Sequence, residues 1–132
     1  MVYPFDFGFV PSTRGGDGDP LDVLMLSEEA LFPGCLVKAR LLGALKAMQR
    51  EDGKNNRNDR LIALPVLEFG MSRIRSIREL DARLLEQIES FFIFSHKLEG
   101  KEFKILARTS VKAARGLVEQ SSRALRNTSG LE

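Results

Sequence analysis

"GGDGDPLDVLML", residues 15–26, places Asp17, Asp19 and Asp22 within six positions and runs directly into an apolar stretch. Crowded carboxylates repel one another unless a cation sits among them. Asp-Gly is also ordinary turn chemistry, so one or two of these aspartates could simply turn or cap the chain. A calcium EF-hand loop counted from Asp17 has Asp19 at its third place and Glu28 at its twelfth. It fails in the middle, where Leu21 fills the fifth place and Asp22 the sixth, which needs glycine. The remaining arrangement is a loop that presents carboxylates at the start of a strand. Hard oxygen donors of that kind suit Mg²⁺, which keeps much of its water and shares sites with phosphate oxygens.

Around this loop the first two-thirds of the chain reads as β. Residues 3–10 form a short aromatic strand closed by Pro11, and residues 11–20 are loop, with three glycines and two prolines. Leu21–Leu26 is a strand with Pro20 at its mouth, and "LFPGC" (31–35) is a turn centred on Pro33-Gly34. Val37, Ala39, Leu41 and Leu45 alternate with Lys38, Arg40 and Lys46, the period of a half-buried strand. "QREDGKNNRNDR" (49–60) is a polar hairpin loop with Asp52-Gly53 at its turn, and residues 61–66 return as a strand whose Pro65 places its end near an edge. Glu51, Asp52, Asp59 and Arg60 put a second group of charges on that loop, so two acidic loops could face one cleft.

The remainder is mostly helical. Ser76 and Glu79 have the spacing of a capping box, and Ile77, Leu80, Leu84, Ile88 and Phe91 follow at helical intervals. Phe103–Ala107 reads as a short strand. Val111, Ala114, Leu117, Val118 and Leu125 form a last amphipathic helix with Ser110 as its N-cap. The final "TSGLE" (128–132) reads as a frayed tail. Short strands followed by helices predict an α+β domain with a small antiparallel barrel, a single unit over residues 1–132.

Composition narrows the class. The chain has 132 residues, 43% of them hydrophobic, which suits one domain with a packed core. A net charge of +2 does not argue for nucleic acid, nor does the run Lys104, Arg108, Lys112 and Arg115, since such runs are usually solvated faces. The nine phenylalanines lie mostly in apolar runs that read as core, with no tryptophan to build a stacking platform. Cys35 is a lone cysteine and reads as a small buried hydrophobe in a reducing compartment. No apolar run is long enough to span a membrane and no signal peptide is visible, so a cytoplasmic protein without membrane partners is expected.

Four segments in order, "YPFDFGF" (3–9), "GDGDPLDVLML" (16–26), "FPGCLVKARLLGALK" (32–46) and "NDRLIALP" (58–65), resemble the bacterial-type family I soluble inorganic pyrophosphatases. The resemblance implies an OB-like barrel with flanking helices, and Mg²⁺-dependent hydrolysis of pyrophosphate to two orthophosphates, with Mn²⁺ as a substitute. It also implies homo-oligomers, usually hexamers in bacteria. By position, Asp17 and Asp22 would ligate metal. Asp19 would take the proton from, or orient, the attacking water. Either Glu51 or Asp52 would be a third acidic ligand, Tyr3 would hydrogen-bond phosphate, and Arg60 would stand in for a phosphate-binding lysine.

The departures from the family pattern bear on rate. Phe7 stands where the resemblance expects a phosphate-binding tyrosine, and Asn58 stands where it expects a metal-ligating aspartate. Ser95 and His96 stand where it expects a tyrosine–lysine pair; His96 reads either as a phosphate contact or as a solvated residue near a helix end. The first barrel strands of the family, with two glutamates, a lysine and an arginine of the site, are missing ahead of Tyr3. Slow hydrolysis is therefore expected. The rival expectation is a remnant of the same fold that binds metal or phosphate without efficient turnover.

Overall fold

The computed structural model describes residues 5–11, 13, 15–16, 19–26, 37–66 and 74–129, with the side chains of 5, 6 and 124–129 set aside. Tyr3, Asp17, the Pro33-Gly34 turn and Cys35 lie outside the described residues. Among the described residues six strands, β1 (Phe5–Phe9), β2 (Asp22–Leu26), β3 (Ala39–Glu51), β4 (Lys54–Arg57), β5 (Arg60–Pro65) and β6 (Glu102–Thr109), form one sheet in the order β1-β2-β5-β3-β4, with β6 also on β3. The sheet is mixed where antiparallel pairing was predicted: β2 runs parallel to β5, and the other pairings are antiparallel. The chain between residues 26 and 60, with β3 inside it, supplies the long connection that a parallel pair requires.

Strand β3 is the spine, and it is buried on both faces, not on one as its alternation predicts. Leu42, Leu45 and Ala47 join Leu24, Leu26 and Ile62 under helix α1 (Ala82–Leu98), whereas Ala44 joins Leu21, Val23, Met25, Leu61 and Ala63 under α2 (Val111–Ser129). A bulge between Leu41 and Gly43 resets which face each later residue takes. Gly43 is required there by close approach, because a Cβ would lie 2.6 Å from the Thr109 carbonyl oxygen.

Asp52 and Gly53 both adopt positive φ, 51° and 75°, and Glu51 pairs with Lys54, so the Asp-Gly turn is a two-residue hairpin loop. Its flanks are strand where loop was predicted. Pro65 closes β5, which is an interior strand and not an edge. The proline is tolerated because the parallel pairing with β2 stops at Ala63.

Ser76 caps only a 3-10 turn, Ile77–Glu79, with its side chain accepting from Arg78 N–H at 3.2 Å. Glu79 reaches Arg75 N–H, so the capping box does not close. Leu80 is extended, and α1 begins after a second cap, Asp81, whose carboxylate accepts from Arg83 N–H at 2.9 Å. The later start turns the helix. Leu84, Leu85, Ile88, Phe92 and His96 face the sheet, while Phe91 is exposed. Ser110 caps α2 as predicted, accepting from Ala113 N–H at 3.2 Å, and α2 continues into the predicted tail as far as Ser129. Arg108 on β6 is tied to α1 by two hydrogen bonds to Glu89, and those bonds hold its guanidinium above its ordinary pKa. Among the described phenylalanine side chains, Phe92 and Phe103 are buried but Phe7, Phe9, Phe91 and Phe94 are exposed. The expectation of a phenylalanine core is corrected accordingly: β1 ends the strand order, and Phe7 on it stacks on Phe91 at the exposed margin of α1.

Candidate active site

Pairing register brings the acidic loop to its cation. Phe9 pairs with Asp22, Asp22 with Arg60, and Arg60 with Leu45, so these side chains form one row across β1, β2, β5 and β3. Leu45 lies in the core beneath α1, so the row shares that face of the sheet. Where the core runs out, a cavity of about 340 Å³ opens, lined by Asp19, Asp22, Gln49, Glu51, Asn58, Arg60, Ser95, His96, Glu99 and Lys101, together with Asn56.

The junction of β4 and β5 sets which way its side chains point. Asn58 N–H donates to the Ala47 carbonyl at 2.9 Å, and Ala47 N–H donates to Asp59 Oδ1 at 3.0 Å. A side chain thus takes the place of one ladder partner. Asp59 is held by a forked bond to Arg57 and lines a second cavity of about 280 Å³ beside α2, whose wall also includes Asp22 and Asn58. Asn58 and Arg60 are thereby presented to the first cavity.

Within that cavity Asp22 is ion-paired with Arg60. The Arg60 guanidinium lies over Phe92 at 5.2 Å and near Phe103 at 5.8 Å, and its Nη2 meets His96 Nε2 at 3.3 Å. Arg60 Nε is buried without a hydrogen-bond partner. Asn58, 6% exposed, donates from Nδ2 to Gln49 Oε1 at 2.6 Å. Lys101 Nζ sits 3.5 Å from Glu99 and 3.9 Å from Glu51.

The structure therefore gathers Asp19, Asp22, Glu51, Asn58 and Arg60 around one cavity. It leaves Asp52 at the exposed hairpin tip, outside the lining, and Asp59 in the second cavity. Tyr3 and Asp17 are outside the described residues. His96 is not a solvated residue: it is 8% exposed and stacks on Phe103 with ring centroids 4.3 Å apart. Phe7 stacks on Phe91 at 5.6 Å and meets Phe92 edge-on at 6.0 Å. Sequence reasoning missed Gln49, Glu99 and Lys101. Residues 99–101 follow the end of α1, and only the packing of that helix carries them to the cavity.

Among the described residues, no three acidic or histidine side chains converge as a metal cage. The donors at the rim are oxygens of Asp19, Asp22, Glu51 and Asn58, spread around a space shared with cationic groups. That set fits Mg²⁺, which is commonly held by one or two carboxylates together with water and substrate phosphate.

Fold and cavity together define an α+β protein with an acidic loop and a part-buried arginine meeting at one end of a mixed sheet. Residues 1–126 match the inorganic pyrophosphatase family. The inorganic pyrophosphatase of Nostoc sp. is 35% identical over 124 residues, covering 94% of this chain and 71% of the relative. That of Synechocystis sp. is 35% identical over 120 residues, 91% of this chain and 69% of the relative. The solved inorganic pyrophosphatase of Helicobacter pylori superposes with a TM-score of 0.83 at 35% identity, covering 94% of this chain and 72% of that one. The chain belongs to the inorganic pyrophosphatase family, and its fold is that family's OB-like α+β fold. Among the described residues no helix is long and apolar enough to cross a membrane.

Proposed function

We propose that this chain hydrolyses inorganic pyrophosphate to two orthophosphates in the cytoplasm, with Mg²⁺ as the working cation and Mn²⁺ as a substitute. The observation that carries the reading is the Asp22–Arg60 pairing across β2 and β5, with Asp19, Glu51 and Asn58 around the same cavity. Asp17, Asp22 and Glu51, with the Asn58 side-chain oxygen, are the residues we assign to the cation. When bound, Mg²⁺ supplies positive charge to the phosphate oxygens and lowers the pKa of the attacking water. Asp19 accepts the proton of that water. Arg60 and Tyr3 bind phosphate, and Lys101 adds a second cation to the cavity wall. Family membership supports the substrate class.

Turnover is slow on this reading. Phe7 offers no hydroxyl, and Asn58 lacks one negative charge. Binding of metal or phosphate with little hydrolysis is the second reading, favoured by the engagement of the Asn58 amide with Gln49.

Phosphate release from pyrophosphate decides between them. Wild type should release phosphate only with Mg²⁺ or Mn²⁺, and Asp19→Asn should lose about 10²-fold or more, because an amide cannot take the proton. Equal inertness of the two proteins would leave the binding reading as the better account.

A further inference from the structure

We infer that His96 is a positioning residue that holds Arg60 on the phosphate, an inference that rests on the proposed phosphate-binding role of Arg60. Its Nδ1 lies 2.7 Å from the Phe92 carbonyl oxygen. A carbonyl only accepts, so Nδ1 carries the hydrogen and donates it. A guanidinium only donates, so at 3.3 Å Arg60 Nη2 is the donor and His96 Nε2 the acceptor. Both ring nitrogens are thereby used within the protein. One ring face is covered by Phe103, and the residue is 8% exposed. No ring nitrogen is left to take a phosphate oxygen directly, so His96 acts through Arg60.

The effect on Arg60 is geometric. Its guanidinium is planar, and its fork spans two partners at once, Asp22 through Nη1 and His96 through Nη2. Phe92 and Phe103 cover it, restricting its tilt. Without the histidine acceptor the side chain pivots on Asp22 alone, and the remaining N–H bonds no longer point one way. A lysine could not be held in this manner, because an ammonium has no plane to fix.

The test is a double-mutant cycle read by both kinetics and binding. His96→Phe keeps the ring and its stacking but removes the acceptor. His96→Gln carries an amide oxygen at about the reach of Nε2. His96→Phe should raise KM for pyrophosphate and weaken inorganic phosphate binding in calorimetry, each about tenfold, the scale of one hydrogen bond to a charged group. Its kcat should stay within about twofold of wild type, as for loss of an interaction equal in ground and transition states. His96→Gln should recover both values to within about twofold of wild type. In an Arg60→Ala background, His96→Phe should change neither value further.

A His96→Phe protein equal to wild type, additive effects with Arg60→Ala, or a His96→Gln protein as weak as His96→Phe would overturn the inference. A general packing defect is separated by the cycle, since it would persist without Arg60. Failure of wild type to hydrolyse pyrophosphate while still binding phosphate would overturn the proposed function and leave this cycle readable in the binding data. Failure of wild type to bind phosphate at all would overturn both.

Discussion

At the scale of single residues, the candidate site turns on which acids share a wall. Glu51 and Asp52 are sequence neighbours and equally suited chemically to a cation, yet only Glu51 lines the cavity, where Lys101 lies 3.9 Å from its carboxylate. Asp52 is spent on the hairpin, at φ 51°. Glu51→Gln should therefore raise the Mg²⁺ concentration needed for half-maximal phosphate release several-fold. Asp52→Asn should leave it unchanged, because asparagine also tolerates positive φ. A metal titration of the two variants checks this, and the reverse order would reassign the ligand to Asp52. Arg60 and His96, each at a place where the resemblance expects a lysine, behave as one exchange: a planar cation accompanied by the acceptor that orients it.

Elements explain how those residues stay in place. The bulge in β3 brings Gly43 against both β6 and the 3-10 turn, with a virtual Cβ 2.6 Å from the Thr109 oxygen and 3.1 Å from Ile77 Cγ1. Gly43→Ala must push β6 or the turn away, at the usual overpacking cost of roughly 1–3 kcal/mol, and because Gly43 also holds φ 156° that cost adds to backbone strain of the kind Gly53 would meet. Gly53→Ala has open space around its Cβ and should cost only about 1–2 kcal/mol, through its positive φ. Urea unfolding of both variants gives the comparison. Equal midpoints, or a larger loss at Gly53, would mean that β3 and β6 yield easily at the bulge. Because β3 also carries Gln49 and Glu51, loosening it should disturb the cavity as well.

For the whole molecule, the exposed aromatics mark where self-association should occur. β1 is the last strand in the sheet order, and it presents Phe7 and Phe9 at 54% and 62% exposure. Phe91 and Phe94 continue the apolar surface onto α1. Terminal strands and contiguous apolar patches invite further chains. We propose that the chain forms a homo-oligomer through this surface. Light scattering at micromolar concentration should give at least twice the mass of one chain, and Phe9→Lys should lower it. A monomeric wild type would sink that proposal.

How much was legible in advance follows from the range of the interactions. The Asp-Gly hairpin, the Ser110 cap and the strand after Pro20 depend on neighbours a few residues apart, and the sequence by itself determined them. So did the grouping of acids on one loop, because the motif is contiguous. The parallel pairing of β2 with β5, the double burial of β3 and the rotated face of α1 depend on long-range packing. His96 shows the difference most clearly. Its type and position are plain in the chain, but no local pattern says that a helix residue will meet Arg60 across a core. Only the tertiary structure decides that, because side-chain direction in α1 is set by where Asp81 starts the helix and by what the sheet must bury.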